Sequence, residues 1–407
     1  MRKKPSQSMK EFIEKTTKDE QTLRIAIDGN EANISNRVGS NVYAFEILNN
    51  LYHIVRNKPV KVTILLAKPP ISDLPKENIK WKYQVVTPQK FWTQWALPIH
   101  LYLNSDKYDV MYTPGHYAPR ISAVPYVSSV MDLAFLKYKE QFKKRDYIQL
   151  VKWTKYSVKN AKKVITISDY SKQDIIEQYH KQESDIVVAY PAVYPPRREI
   201  APIHREKVLK KFNITNPYIL YVGTIQPRKN LVNLIDAFEK LSRKLPIGKR
   251  KKLQSVQLVI AGKIGWLADN VIKRVEKSPY KNQIIMTGFV TDFEKEVLIS
   301  GASTLTLIGL YEGFGIPPLE ALHHNIIPIV SNNSSLPEVV GNSGVLTDPN
   351  NPSDIAEKLE KVLTLTSKQK KEILKNKRVQ IDKFNWKNSA KVVYKTLERV
   401  VHDYSRN

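Results

Sequence analysis

The chain contains no cysteine, which excludes disulfides, thiolate nucleophiles and the usual structural zinc sites. It also lacks any run of about 18 apolar residues, so no segment reads as a transmembrane helix. The first twenty residues are polar and charged, with no apolar stretch of the kind a secretory leader carries. They read as a disordered tail over 1–20, and a cytoplasmic setting fits. Several catalytic signatures are missing too. There is no His-Glu-x-x-His and no Asp-x-Asp pair, so no metal site is expected. A Gly-x-Ser-x-Gly elbow and a Walker loop are absent. No Gly-x-Gly-x-x-Gly follows a strand, which disfavours a nicotinamide cofactor.

What is present is a chain of 407 residues, too long for one ordinary core and suited to two domains. Hydrophobic residues make up 42% and charged residues 26%, as in soluble globular proteins. The net charge of +26 is the compositional anomaly. It implies attraction to polyanions such as nucleic acid, anionic headgroups or diphosphates, or simply a lysine-rich solvated surface.

Short β-rich apolar runs alternate with longer amphipathic segments, the βαβ pattern of parallel sheets covered by helices. Strands are expected at Leu23 to Ile27, Val60 to Ala67, Asp109 to Thr113, Pro125 to Val130 and Lys163 to Ile167. Asn41 to Val55 reads as a helix, with Val42, Phe45, Leu48, Leu51 and Val55 at apolar spacing. Ser168 to His180 reads as another, opened by Ser. The Pro-rich stretch from Tyr190 to Pro202 separates the halves. The pattern then restarts with strands at Tyr218 to Val222, Val256 to Ala261, Ile284 to Met286, Ser303 to Ile308, Ile326 to Val330 and Gly344 to Leu346. A helix is expected from Asn230 to Leu245, and an amphipathic one from Trp386 to Tyr404.

The most informative segment is EGFGIPPLE, Glu312 to Glu320. It follows an apolar strand and leads into a helix that begins near Pro317, where proline suits the first turn. Gly313 and Gly315 let backbone approach a ligand, and the helix N-terminus turns free N–H groups toward negative charge. Such loops at the carboxyl ends of strands are where open α/β sheets bind ligands. Glu320, one turn into the helix, points back toward the same space in this reading, and its carboxylate suits a ribose diol. Glu312 suits sugar hydroxyls. The plain alternative is a Gly-Pro loop with two surface glutamates.

YVGTIQPRKN, Tyr221 to Asn230, also follows a strand and turns at Gly223. Arg228 and Lys229 there suit a leaving diphosphate, Arg as a fork and Lys as a point charge. In a step that puts charge on phosphate, cations so placed are usually the largest catalytic term.

Together these segments resemble the family 4 retaining glycosyltransferases of the GT-B architecture, over nearly the whole chain from Leu23. The family's Glu-x7-Glu motif stands as Glu312 and Glu320, with Gly313-Phe314-Gly315 between. The resemblance implies an α/β fold of two Rossmann-like doubly wound parallel-sheet domains facing an interdomain cleft. It implies an acceptor domain over 21–200, a donor-nucleotide domain over 201–385, and a final helix over 386–405 crossing back. It further implies that Arg228 and Lys229 hold the donor diphosphate, that Glu320 binds ribose and that Glu312 contacts the transferred sugar. Leu336-Pro337-Glu338-Val339, Asp348-Pro349 and Phe384-Asn385-Trp386 also match the family's carboxyl-terminal part. In the first half, NRVGSNVY resembles the family's glycine loop, with Gly39 near donor phosphates or acceptor. Met131-Asp132-Leu133 stands where many relatives have His-Asp-Leu, leaving Asp132 as a site member. His116, on a strand-end loop, is an acceptor contact in this reading, or an ordinary structural His.

Lys143 to Lys163, read as a helix, sets Lys152, Lys155, Lys159 and Lys162 on one face. Tyr147, Leu150, Val151 and Val158 occupy another. That pattern suits an anionic membrane surface or an ordinary helix packed on its core. The cluster Phe91 to Trp95 is open to the same readings, or to an acceptor contact. No zinc finger, RNP strand or helix-turn-helix spacing supports specific nucleic-acid binding.

The expected activity is transfer of a hexose from a nucleotide-diphosphate sugar to a hydroxyl of a saccharide or lipid-linked acceptor, in cell-surface glycan synthesis. Retention follows from the resemblance, and mannose is suggested by relatives with the Pro-Arg-Lys-Asn form. No metal or cofactor is expected beyond the nucleotide sugar, which is substrate; a cytoplasmic setting is expected, with peripheral attachment to the inner membrane face as an open alternative. Rival readings are a nucleotide-sugar epimerase or phosphorylase on the same fold, or a basic membrane or nucleic-acid adaptor.

Overall fold

A computed structural model of the chain describes residues 22–196, 200–215, 217–244 and 256–404. The tail expected over 1–20 lies outside them, as do Leu245 and 197–199 of the Pro-rich stretch. Among the described residues, thirteen strands form two sheets. The first holds β1 (Leu23–Asp28), β2 (Val60–Leu66), β3 (Trp81–Val85), β4 (Val110–Thr113), β5 (Tyr126–Ser129), β6 (Lys163–Thr166) and β7 (Ile186–Val188). Its spatial order is β3-β2-β1-β4-β5-β6-β7. The second holds β8 (Tyr218–Val222), β9 (Gln257–Ala261), β10 (Ile284–Gly288), β11 (Thr304–Leu307), β12 (Pro328–Ser331) and β13 (Val345–Thr347), ordered β10-β9-β8-β11-β12-β13. β1 to β6 pair in parallel, and so do all six strands of the second sheet.

Both orders reverse direction once, between the first strand of the sheet and the fourth. Such reversal points open a crevice at the strands' carboxyl ends. In the first sheet it lies between β1 and β4, in the second between β8 and β11.

In the second sheet, alternate residues feed two separate cores. Ile219 and Tyr221 of β8 join Leu258 and Ile260 of β9 in one core, under Leu234, Phe238 and Leu359. Tyr218, Leu220 and Val222 join Val259 and Ala261 in the other, under Val297 and Leu298. Both faces are therefore covered, which is why β8 and β9 are buried at every position and read as unbroken apolar runs.

Two compact units emerge among the described residues. One takes the chain up to Val130, Trp153–Ile165 and the segment from Ala390 on; the other takes Met131–Lys152 and Thr166–Ser389. The final helix spans Trp386–Tyr404, and Glu398 lies 3.8 Å from Lys58 in the first unit.

Local expectations meet three corrections. The helix Ser40–Val55 buries Tyr43, Ala44, Ile47, Leu48, Leu51 and Val55, while Val42 is exposed. Leu48, Leu51 and Val55 are buried as expected, but Val42 and Phe45 are not, and Tyr43, Ala44 and Ile47 take core positions instead. β3 and β7 were not expected; both lie at sheet edges, and β3 buries only Trp81. The basic helix ends at Asn160, so Lys162 lies beyond it, its N–H donating to the Tyr126 carbonyl. No helix among the described residues is long and apolar enough to cross a membrane.

Candidate active site

The turn after β8 begins with Gly223, whose N–H bonds the Ala261 carbonyl, and ends in a 3-10 turn over Pro227–Lys229. Asn230 follows in the left-handed region at φ 59°, a conformation that Asn tolerates better than most residues. Its buried side-chain amide donates to the carbonyls of Ile308 (3.1 Å) and Pro349 (2.7 Å). The cation-bearing turn is thereby tied to the exit of β11. The helix Leu231–Lys244 starts immediately afterwards.

From β11 the chain runs through Ile308 to Gly315 into the helix Ile316–His323, with Pro317 in its first turn. Gly315 sits at φ 120°, a conformation open to glycine and costly for other residues. Two serines on the β12 side pin the loop. Ser334 accepts the Glu312 N–H at 3.1 Å, and Ser335 donates to the carbonyls of Glu312 and Phe314 at 2.8 and 2.7 Å.

These two loops bring Arg228, Lys229 and Glu312 together. Lys229 Nζ lies 2.7 and 2.8 Å from the two Glu312 carboxylate oxygens, and Arg228 Nη1 lies 3.5 Å from Oε2. Arg228 also donates to the Tyr311 carbonyl. All three side chains are largely buried. Burial pushes the Lys229 ammonium below the ordinary lysine range, with Glu312 only partly offsetting it. For Arg228 burial acts the same way, but the charges of Glu312 and Asp132 outweigh it. A buried cation pair beside a single carboxylate is a site that favours an incoming anion.

Asp132 belongs to the same neighbourhood. A Cβ added to Gly313 would fall 2.9 Å from Asp132 Oδ2, so the glycine's absent side chain is what admits the carboxylate. Met131, standing in place of the imidazole of relatives, is buried. The Asp132 segment is held by residues that sequence reasoning missed. Tyr311 Oη donates to Asp174 at 2.6 Å and accepts the Leu133 N–H at 3.2 Å. Lys137 donates to the other Asp174 oxygen at 2.5 Å. Burial, then Asp132 and Asp174, raises the Tyr311 phenol far above its ordinary range, so it stays protonated. Gly309 was missed as well. A Cβ there would lie 2.8 Å from Glu312 Oε1 and 3.3 Å from the Arg228 carbonyl.

The remaining expected residues occupy other surroundings. Glu320 pairs with Lys295, Nζ to Oε1 2.7 Å, and makes no bond to the Arg228–Lys229–Glu312 group. Its Oε2 is buried without a hydrogen-bond partner, and it lines a hollow of about 320 Å³ with Tyr194, Lys295 and His324. Phe314 is buried against Tyr190 and Phe384, ring centres 6.2 and 5.1 Å away. In the first unit, Gly39 precedes the helix Ser40–Val55 at φ 54°, with open space where a Cβ would stand. His116 follows Gly115 beyond β4, and a Cβ on Gly115 would lie 3.2 Å from Glu31. Glu31, also missed, accepts bonds from Ser40 and Asn41. No group of three or more His, Asp or Glu side chains able to hold a metal occurs among the described residues.

Comparison with known proteins gives a consistent result. The family profile described as "Glycosyl transferases group 1" matches residues 204–380. The O-antigen chain mannosyltransferase B of Escherichia coli is 31% identical over 280 residues, 67% of this chain and 68% of that protein. The serotype-specific mannosyltransferase WbdA of Escherichia coli is 29% identical over 249 residues, 59% of this chain but only 29% of that longer protein. The crystal structure of Anabaena Alr3699/HepE in complex with UDP and glucose superposes with a TM-score of 0.69. The match covers 93% of this chain and 100% of that one, at 17% identity.

Proposed function

The chain belongs to the group 1 glycosyl transferases, and on that footing we propose that it moves a hexose from a nucleotide-diphosphate donor to a hydroxyl of a saccharide or lipid-linked acceptor. The names of its relatives favour mannose, in the assembly of a cell-surface polysaccharide of the O-antigen kind. The observation that carries the reading is the convergence of Arg228, Lys229 and Glu312 from two loops, at the reversal point of the second sheet.

In this reading the diphosphate takes Arg228 and Lys229 as its counter-ions. The bond between the anomeric carbon and the diphosphate oxygen breaks, and its electron pair stays on that oxygen, where the two cations stabilise it. The acceptor hydroxyl oxygen forms the new bond on the same face of the sugar, and its proton passes to the departing phosphate. Glu312, released from Lys229, accepts from a sugar hydroxyl. Glu320 binds the ribose diol, supported by its buried and unpartnered Oε2. Gly223, Gly313 and Gly315 bring backbone to the donor, with Phe314 fixing the loop from beneath. Asp132 completes the charged set, while Gly39, Glu31 and His116 are assigned to the other end of the reaction, donor phosphate or acceptor. Sheet membership supports a domain division near residue 200, since β1 to β7 end at Val188 and β8 starts at Tyr218.

A thermal-shift screen of guanosine and uridine diphosphate sugars tests the donor. A donor at 100 times its dissociation constant adds about 2.7 kcal/mol of stability. The stabilising donor is then mixed with saccharide and polyprenyl-linked acceptors, and nucleoside diphosphate release is followed. Acceptor-dependent release is the expected outcome. Stabilisation by none of the donors, or release indifferent to every acceptor, overturns the proposal.

A further inference from the structure

Two segments of the second unit stand beside the Arg228–Lys229–Glu312 group and take no part in the bond-breaking step. The first is the loop after β9. Its Gly265 N–H bonds the Ile225 carbonyl and its Lys263 carbonyl accepts the Ile225 N–H, both at 2.9 Å, so it packs on the turn that carries the cations. A Cβ on Gly265 would fall 2.7 Å from the Ile225 carbonyl oxygen. The next residue, Trp266, is 44% exposed. The second segment is the short turn Lys139–Gln141, with Phe142 after it. Tyr138, just before, donates its hydroxyl to the Leu310 carbonyl at 3.0 Å, and the Leu310 N–H bonds the Arg228 carbonyl at 2.9 Å. Both segments are thereby tied to the loops that leave β8 and β11. They are also tied to each other: Trp266 donates its indole N–H to the Gln141 carbonyl, and its ring centre lies 6.5 Å from that of Phe142.

At Phe142 the surface opens into a hollow of about 350 Å³, lined by Lys139, Glu140, Phe142, Lys144 and Tyr147. Its walls combine two rings with side chains that donate or accept hydrogen bonds. Two amides nearby are incompletely bonded. Gln226 is 5% exposed and precedes the cation pair, its own carbonyl accepting the Lys229 N–H at 3.0 Å. Its Cβ lies 3.6 Å from the Cβ position of Gly265, the residue before Trp266. The side-chain oxygens of Gln226 and Gln141 are both buried without a hydrogen-bond partner. A buried acceptor left unpaired costs stability, and a ligand hydroxyl is a donor that relieves it. Flat rings with a few placed polar atoms suit a ligand that is apolar on one face and hydroxylated at its edge. A pyranose has that build, with C–H bonds on a face and hydroxyls around the rim. An acyl chain fits less well, since it offers the amides no donor.

We propose that Trp266 and Phe142, with Gln141, Gln226, Lys144 and Tyr147, form a saccharide subsite that holds an inner sugar of the acceptor chain while its terminal hydroxyl reacts at the Arg228–Lys229–Glu312 group. The inner sugar lays a C–H face on Trp266, and its hydroxyls donate to the two amide oxygens. Rotation about the last torsion of each Gln, which is soft, turns the oxygen to the bound hydroxyl. Binding energy gained there, away from the reacting bond, serves to orient the acceptor. The enzyme therefore selects a chain over a single sugar. That the chain is the acceptor rests on the transfer reading proposed above; the saccharide contact itself is tested without any donor.

Calorimetric titration of the full chain with methyl α-mannoside and with α-linked mannotetraose, mannose being the hexose proposed above, tests this. The wild type is expected to bind the tetraose about tenfold or more tightly than the monosaccharide. Trp266→Ser should abolish that preference, whereas Trp266→Phe, which keeps a ring, should retain most of it. Gln226→Met should weaken tetraose binding by about fivefold while holding or raising the melting temperature, because it removes an unpaired buried oxygen. General loss of structure would lower both. Wild-type protein that binds the tetraose no better than the monosaccharide, or not at all, overturns the subsite. So does an unchanged preference in Trp266→Ser. Either result leaves sugar transfer standing if nucleoside diphosphate release still depends on an acceptor. Conversely, a tetraose preference lost in Trp266→Ser, with no release from any donor, keeps the saccharide subsite and overturns the transfer reading.

Discussion

Lys229 is held between two opposing influences: burial, which lowers its proton affinity, and Glu312, which restores part of it. Its charge is therefore lost as pH rises through a value below the ordinary lysine range. If Lys229 carries the leaving diphosphate, kcat/KM falls on the alkaline side earlier than a solvent-exposed lysine would allow. Glu312→Gln removes the offsetting anion, so that limb moves to still lower pH in a kcat/KM–pH profile of the free enzyme. An unmoved limb would detach Lys229 from the reaction. Lys229→Ala and Arg228→Ala are each expected to lower kcat by about 10²–10³, the scale for removing one preorganised charge contact to a transition state. These two cations were readable in the sequence because they follow a strand and precede a helix. Asn230, Tyr311 and Asp174 were not. Their roles arise from bonds across 78 to 178 residues of separation, which no local pattern encodes.

The loops that leave β8 and β11 act as a pair, and the contact between them tolerates very little added volume. Gly309 is the point to test, since its backbone is ordinary and only the missing Cβ matters. Gly309→Ala inserts a methyl group 2.8 Å from Glu312 Oε1 and 3.3 Å from the Arg228 carbonyl. The carboxylate must shift, and kcat/KM should drop by about tenfold to a hundredfold, since displacements near 1 Å cost that much. The melting temperature should move little, because no core side chain is displaced. Steady-state kinetics beside a thermal melt distinguishes this from general destabilisation. Sequence reasoning identified Gly313 and Gly315 through their dense motif. It passed over Gly309, which stands alone at a strand end. The same reasoning found the central strands of both sheets, since burial on both faces leaves an unmistakable apolar run. β3 and β7 escaped it because a short edge strand needs apolar residues on few positions, and WKYQV shows little alternation.

Among the described residues, Asp28, Glu31 and Glu338 hold their protons more tightly than ordinary carboxyls. Burial pushes Asp28 up to about 7, against Asn30 bonds that pull it down. Glu338, in the Leu-Pro-Glu-Val stretch, is also raised to about 7, mainly by burial, while it accepts the Asp169 and Tyr170 N–H groups. An unfolded chain releases these protons near the ordinary Asp and Glu values of 3.8 and 4.5. Between those values and about 7 the folded state holds more protons, so stability from these groups is full at low pH and falls as pH rises. Asp28→Asn should therefore raise stability at pH 8 by on the order of 2–4 kcal/mol and change it little at pH 4. Denaturant unfolding at the two pH values checks this. A variant equally affected at both would show that Asp28 ionises freely in the fold. The two-sheet architecture was legible at this scale from the alternation of strands and helices. The grouping of 131–152 with the second unit was not, because it depends on distant partners such as Tyr311.

The ion pair between Lys229 and Glu312 also bears on turnover. If Lys229 holds the donor diphosphate as proposed, Glu312 is a carboxylate tethered within reach of the same ammonium and acts as a built-in competitor at very high local concentration. Arrival of the donor must displace it, which weakens binding. Departure of the spent nucleotide is eased by the same amount, because the carboxylate is at hand to replace it and no bare cation is left buried. The enzyme thereby gives up some grip on its donor and avoids being held by its own by-product.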